Sequence, residues 1–294
     1  MSSRTVLRQR QSEWASTSHK PIDARGYVAD IALNLFRPLS ESTMRAFSSG
    51  SGSELLPGAR RPPKMAALHS SAALAVNVFD YWSNRPLQSL AAALGLPATP
   101  SAFRFEAQFP TGLGGTPPNL DLAFEYPDQR IVGVESKFTE WLTPKRTGPA
   151  PFKDKYFSGK ALWSSAGLPR AQALAESMQA RAQRFVYLDA AQLLKHMLGL
   201  STCLRGRAGL CYLYFDCAGP ESSMHQAEIH SFSTAIDPDM PFHAISYQTF
   251  FEALTRQLDP SDGEYVAYLK ARYFQDGSSV DAPNAVSSTE AHSD

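Results

Sequence analysis

From Phe103 onward the apolar residues recur at every second position, in runs of strand length separated by turn residues. FRFEAQF (103–109), NLDLAFEY (119–126) and RIVGVESKF (130–138) read as three strands, with TGLGGTPP and PDQ between them. On the first, Phe103, Phe105, Ala107 and Phe109 share one face, and Arg104, Glu106 and Gln108 the other. Strands two and three form a hairpin turning at Pro127–Gln129, so residues symmetric about 128 oppose each other.

Helical patterning surrounds these strands. Residues 27–36 have helical spacing, as do the Ala-rich run from Met65 to Trp82 and LQSLAAALGL, which stops at Gly95 and Pro97. Helix returns between about 169 and 199, broken near Phe185–Leu188, with Asp189 as N-cap. AGLCYLYFD is a fourth strand, apolar enough to be covered on both faces, and AEIHSFS reads as a fifth. YQTFFEALTRQL and EYVAYLKARYF read as closing helices. The polar stretch before residue 24 and the small-residue stretch 276–294 read as disordered tails around one domain, 24–275.

The chain is 294 residues long, with 43% hydrophobic residues and as many acids as bases, 28 of each. That is enough apolar material for a proper core, and any nucleic-acid surface must be local rather than global. Cys203, Cys211 and Cys217 form no CxxC pair and read as reduced thiols. No apolar run approaches the roughly 20 residues of a membrane helix, and no signal-peptide core is present, so the expectation is a soluble cytoplasmic protein.

The hairpin carries the chemistry. Its register sets Asp121 opposite Glu135, with side-chain bases about 5 Å apart. Lys137 lies two residues past Glu135 and so shares that face. Two carboxylates this close raise one another's pKa unless a cation lies between them, and hard oxygen donors suit magnesium or manganese. The bland alternative is a solvated face with a cross-strand ion pair; the apolar neighbours Leu120, Leu122, Phe124 and Ile131–Val134 argue against it.

Pro118-Asn119-Leu120-Asp121 followed by Glu135-Ser136-Lys137 resembles the signature of the PD-(D/E)XK, or restriction-endonuclease-like, nuclease superfamily. The element order over residues 65–217 resembles that superfamily's core. The fold implied is α/β: a three-layer core with a central mixed β-sheet flanked by helices, in the order α-β-β-β-α-β. The activity implied is Mg2+- or Mn2+-dependent hydrolysis of DNA, as in a restriction or defence endonuclease, leaving a 5′-phosphate. The resemblance assigns Asp121, Glu135 and the backbone carbonyl of Ser136 to the metal, and Lys137 to the attacking water and transition state. Members often add a glutamate from the first core helix, but Met65–Trp82 has only Asp80; Glu106 is the replacement expected, ahead of Glu54. Gln192 matches a glutamine found in some branches, without the tyrosine that follows it there. Double-stranded DNA is the implied partner, and the analogy leaves a homodimer open.

Between Lys137 and Lys160 six basic residues meet two acids. Lys145, Arg146, Lys153, Lys155 and Lys160 are the candidate phosphate contacts, with Tyr156, Phe157 and Trp163 either stacking bases or docking on the core. Arg181, Arg184, Arg205 and Arg207 would extend that surface. No histidine is assigned to catalysis, His196 included. Two other readings compete: a nuclease fold that binds DNA or a protein without cutting, and a carboxylate-pair glycosidase, against which Lys137 counts.

Overall fold

The computed structural model describes residues 2–275 except 51–53, 60, 147, 149 and 160. Helices α1 (Ser3–Thr17), α2 (Glu41–Ser49), α3 (Ser71–Phe79) and α4 (Gln88–Ala93) precede the sheet. Strands β1 (Ala102–Gln108), β2 (Asn119–Glu125) and β3 (Ile131–Lys137) form an antiparallel meander. In the β2–β3 hairpin Leu122 opposes Val134 and Glu125 opposes Ile131, the register symmetric about 128. After β3 come α5 (Leu162–Ser165), α6 (Pro169–Gln179) and α7 (Ala190–Leu204), then β4 (Ala208–Tyr214), α8 (Pro220–Ile236), β5 (Phe242–Ser246), α9 (Tyr247–Thr255) and α10 (Gly263–Arg272). β4 pairs parallel with β3 and β5 parallel with β4, giving one mixed five-stranded sheet in chain order. Parallel neighbours need crossovers, and the intervening helices supply them.

An apolar layer lies on each face of the sheet. On one, Phe105, Leu122, Phe124, Val134 and Leu213 pack with Leu74 and Phe79 of α3, Phe250 of α9 and Leu269 of α10. On the other, Ala107, Leu120, Ala123, Leu210 and Tyr212 pack with Leu174 of α6, Leu194 and Met197 of α7 and Phe232 of α8. Each fully buried Leu, Phe or Met contributes roughly 1.5–3 kcal/mol. β4, between two parallel neighbours, is buried at all seven positions, which is why its sequence is apolar throughout. The three-layer α/β class is the one expected.

The meander departs from expectation at one place, and that place positions the site. In a regular strand Phe105 and Ala107 would face the same way, as would Leu120 and Leu122. Instead Phe105 and Leu122 enter the first layer, whereas Ala107 and Leu120 enter the second. The switch falls at Glu106 and Asp121, the two residues that the ladder leaves unpaired between Phe105↔Leu122 and Ala107↔Leu120. Glu106 has φ +52°, a left-handed conformation that a glutamate seldom adopts. The four apolar residues of 103–109 therefore do not share a face.

Other expectations are corrected. Residues 27–36 contain only the short 3-10 turn Ile31–Asn34, and within 65–82 the α-helix spans Ser71–Phe79, capped by Ser70, with 3-10 turns at either side. AEIHSFS lies in α8, where Ser222, His225, Ile229, Phe232 and Ile236 are buried at helical spacing; the fifth strand is Phe242–Ser246. Residues expected to be an N-terminal tail form α1, which buries Leu7, Trp14 and Ala15. Gln11 of α1 donates to the carbonyl of Arg272, 2.9 Å away, and the Arg272 guanidinium lies 4.3 Å from the Trp14 ring centroid. The expected C-terminal tail, 276–294, lies outside the described residues.

Candidate active site

The β2–β3 ladder stops at Leu122↔Val134, one position short of Asp121 and Glu135. There the Asp121 side chain takes over: its Oδ2 accepts the backbone N–H of Ser136 at 2.6 Å. The hydroxyl of Ser136 points to the opposite face, 2.6 Å from the buried hydroxyl of Tyr247 on α9. Glu135 and Lys137, with side chains on the α7 face, form an ion pair of 2.5 Å between Oε1 and Nζ. Glu135 is only 2% exposed and the Lys137 side chain 16%. The structure thus brings Asp121, Glu135 and Lys137 to one spot, as the hairpin register requires.

The electrostatics follow from burial and crowding. Burial, then repulsion from Glu135, pushes the Asp121 carboxyl well above the usual carboxylate range; Lys137 and the Ser136 N–H offset this only in part. Burial would also raise Glu135, but Lys137 and His196 together override it and hold the group down at about 2. Burial would lower the Lys137 ammonium, yet Glu135 and then Asp121 outweigh it and hold the group above its ordinary value. Glu135 and Lys137 are therefore ionised at neutral pH, and Asp121 carries the strain of the like charges.

His196 is the residue that sequence reasoning missed. It lies on α7, 2% exposed, with Nε2 2.9 Å from Oε2 of Glu135. The two atoms are close but not aligned for a hydrogen bond, and both are buried without another partner. Its signal was a polar ring inside the apolar run LLKHMLGL, which needed a buried polar partner that only the fold identifies. α7 sits low over the sheet because Gly199 has no side chain: a Cβ there would come within 2.3 Å of the Phe109 carbonyl oxygen.

Glu106 accepts from the Asn119 amide at 2.7 Å. Burial raises its carboxyl to about 6, with smaller repulsion from Glu54 and Glu135. Glu54 itself is paired with Lys64 at 3.0 Å. Among the described residues no three His, Cys, Asp or Glu side chains stand within reach of a single ion. Asp80, the acid of the first core helix run, is buried and accepts from Ser40, Thr43 and Ser83, so it is committed to holding those segments.

The basic segment is mixed in use. Arg146, Lys153 and Lys155 are exposed, whereas Lys145 is half-buried and paired with Asp189 at 2.5 Å. Lys155 also donates to the Gly114 carbonyl at 3.1 Å, and Lys160 lies outside the described residues. Tyr156 and Trp163 are buried, their rings stacked 5.7 Å apart, and the Trp163 indole donates to the Leu194 carbonyl. Tyr156 and Trp163 thus dock on the core, and Phe157 is half-buried, its ring 6.0 Å from that of Trp163. Lys195, unassigned from sequence, lies 5.3 Å from the Phe152 ring centroid beside this segment. Arg181 and Arg184 donate to the carbonyls of Gly148 and Lys145, bracing the loop from behind.

A mixed sheet with two carboxylates and a lysine gathered on its hairpin defines a restriction-endonuclease-like α/β protein. The chain belongs to the family described as restriction endonuclease associating with ARP, whose profile matches residues 8–274. No curated protein and no solved structure matches it. No helix among the described residues is long and apolar enough to cross a membrane.

Proposed function

We propose that the Asp121–Glu135–Lys137 face is the centre of a divalent-metal-dependent endonuclease that hydrolyses phosphodiester bonds of double-stranded DNA. The observation that carries this reading is a buried carboxylate, Glu135, and a half-buried one, Asp121, gathered beside the Lys137 ammonium in a member of a restriction-endonuclease family. Such crowding of like charge is relieved by a cation, and hard carboxylate oxygens fit Mg2+ or Mn2+. Asp121 and Glu135 would hold the ion, with the Ser136 carbonyl beside them and Glu106 as a further acid. The bound ion would supply Lewis acidity and a lower pKa for water. Lys137, kept protonated by Glu135, is placed to offset negative charge on the phosphate as it is attacked. Arg146, Lys153 and Lys155 offer positive charge to flanking phosphates, with Lys145 and Lys160 as further contacts.

The test is cleavage of duplex DNA by the purified chain with Mg2+, with Mn2+ and with EDTA, in the wild type and in D121N. Metal-dependent nicking that vanishes in D121N supports the reading. Cleavage that persists in D121N moves the centre elsewhere. A salt-sensitive gel shift without cleavage supports the non-cutting binding module instead.

A further inference from the structure

We propose that His196 is a positioning residue for Glu135, holding its carboxylate ready for the divalent cation from the side that Lys137 leaves open; the inference rests on the metal-dependent reading of this site. Glu135 is a long, flexible side chain, and in a functional site its carboxylate must be held by neighbours rather than left to its own rotamers. Lys137 grips Oε1 from the same strand. Acting alone, that ammonium would decide where the carboxylate lies. His196 meets the other oxygen, Oε2, from a different element, α7.

Three observations indicate that this contact is built and not incidental. First, the ring and the carboxylate are each 2% exposed, so neither group has water as an alternative partner. A bare ring nitrogen at 2.9 Å would set two lone pairs against each other, so Nε2 carries the hydrogen. Second, the pair is near but unaligned, and both atoms lack any other hydrogen bond. A donor and an acceptor buried 2.9 Å apart with no other partner have only each other to pair with, and a small turn of either group aligns them. Third, the depth of α7 is set by backbone contact: Gly199, less than one turn beyond His196, abuts the Phe109 carbonyl. The helix that carries the imidazole is thereby registered on the same sheet that carries the acids. Ligating groups are commonly oriented by such outer partners, whose removal weakens metal affinity about 10- to 100-fold.

The experiment measures Mn2+ binding to the full chain by calorimetry, with electron paramagnetic resonance of free Mn2+ as a second readout. The wild type is compared with H196A, H196Q, H196M and D121N, each checked for native circular dichroism. The expected result is that H196A binds Mn2+ at least 10-fold more weakly than the wild type. H196Q should regain most of the affinity through its amide N–H, and H196M, which fills the space without a donor, should not. If H196A does not fold, the contrast between H196Q and H196M decides. Equal affinity in wild type, H196Q and H196M, with binding lost in D121N, overturns the role of His196 while the metal site stands. Absence of Mn2+ binding by the wild type removes the site reading and this inference together.

Discussion

The backbone N–H of Ser136 donates to Oδ2 of Asp121, 2.6 Å away, where a further rung of the β2–β3 ladder would otherwise fall. A side chain thus replaces a strand carbonyl, and the acid proposed for the chemistry is also part of the fold. The two roles separate on substitution. D121N keeps an acceptor for the N–H and should change stability by less than about 1 kcal/mol, whereas D121A strands the donor and should cost roughly 1–3 kcal/mol. Both should reduce DNA cleavage about 1,000-fold or more, a loss of roughly 4 kcal/mol of transition-state stabilisation. Urea melts beside single-turnover cleavage distinguish the effects; a D121N enzyme that cuts normally refutes the assignment.

The Glu135–Lys137 pair is shielded from water on both partners, so breaking it from one side leaves a buried charge. K137M should destabilise the chain by about 3–5 kcal/mol, and E135Q/K137M by clearly less than the sum of the single changes. A double-mutant cycle in urea measures the coupling. Additive values would mean that the ion pair is weak in solution.

Glu106 makes stability depend on pH with a defined sign. Its carboxyl is raised, mainly by burial, from 4.5 to about 6. A raised acid binds its proton more tightly in the folded state, so its favourable contribution is complete below pH 4.5 and is lost as pH rises toward 6. E106Q should lack that loss and be more stable than the wild type at pH 7.5 by about 1 kcal/mol, after discounting for partial exposure. Thermal melts of both proteins at pH 4.5 and 7.5 in EDTA give the comparison; an unchanged difference between the two pH values would contradict it.

Arg146, Lys153 and Lys155 are exposed cations of the segment after β3 without an ion pair among the described residues, and of these Lys155 spends its ammonium on the Gly114 carbonyl. R146E and K153E should each weaken duplex binding at all sequences and lower the slope of log affinity against log salt by about 1. Fluorescence anisotropy at several salt concentrations, with Ca2+ in place of Mg2+ to prevent cutting, checks this. Circular dichroism should stay native in both.

What the sequence disclosed was local. A three-residue turn sets the hairpin register, and period two then assembles Asp121, Glu135 and Lys137 without knowledge of the rest of the fold. Asp189 caps α7 as its position before that helix implies, accepting from the Gln192 N–H at 3.1 Å. Long-range partners were not legible. α1 buries Gln11 on the same stripe as Leu7 and Trp14, and Arg272 makes that burial sensible, its carbonyl accepting from the Gln11 amide and its Nε donating to the Gln11 Oε1. In α8 the buried positions repeat at three and four over the whole helix, but the seven residues AEIHSFS by themselves mimic a strand. His196 has meaning only once α7 lies across β3. The left-handed backbone at Glu106 has no residue signature at all, since glycine or asparagine would be the ordinary choice there.

That backbone turn has a consequence for how the protein would tolerate change. Because β1 and β2 cross from one oily layer to the other at Glu106 and Asp121, the acids stand on a seam and not on a wall. Repacking on either flank, even many side chains away, would tug at the same stitch.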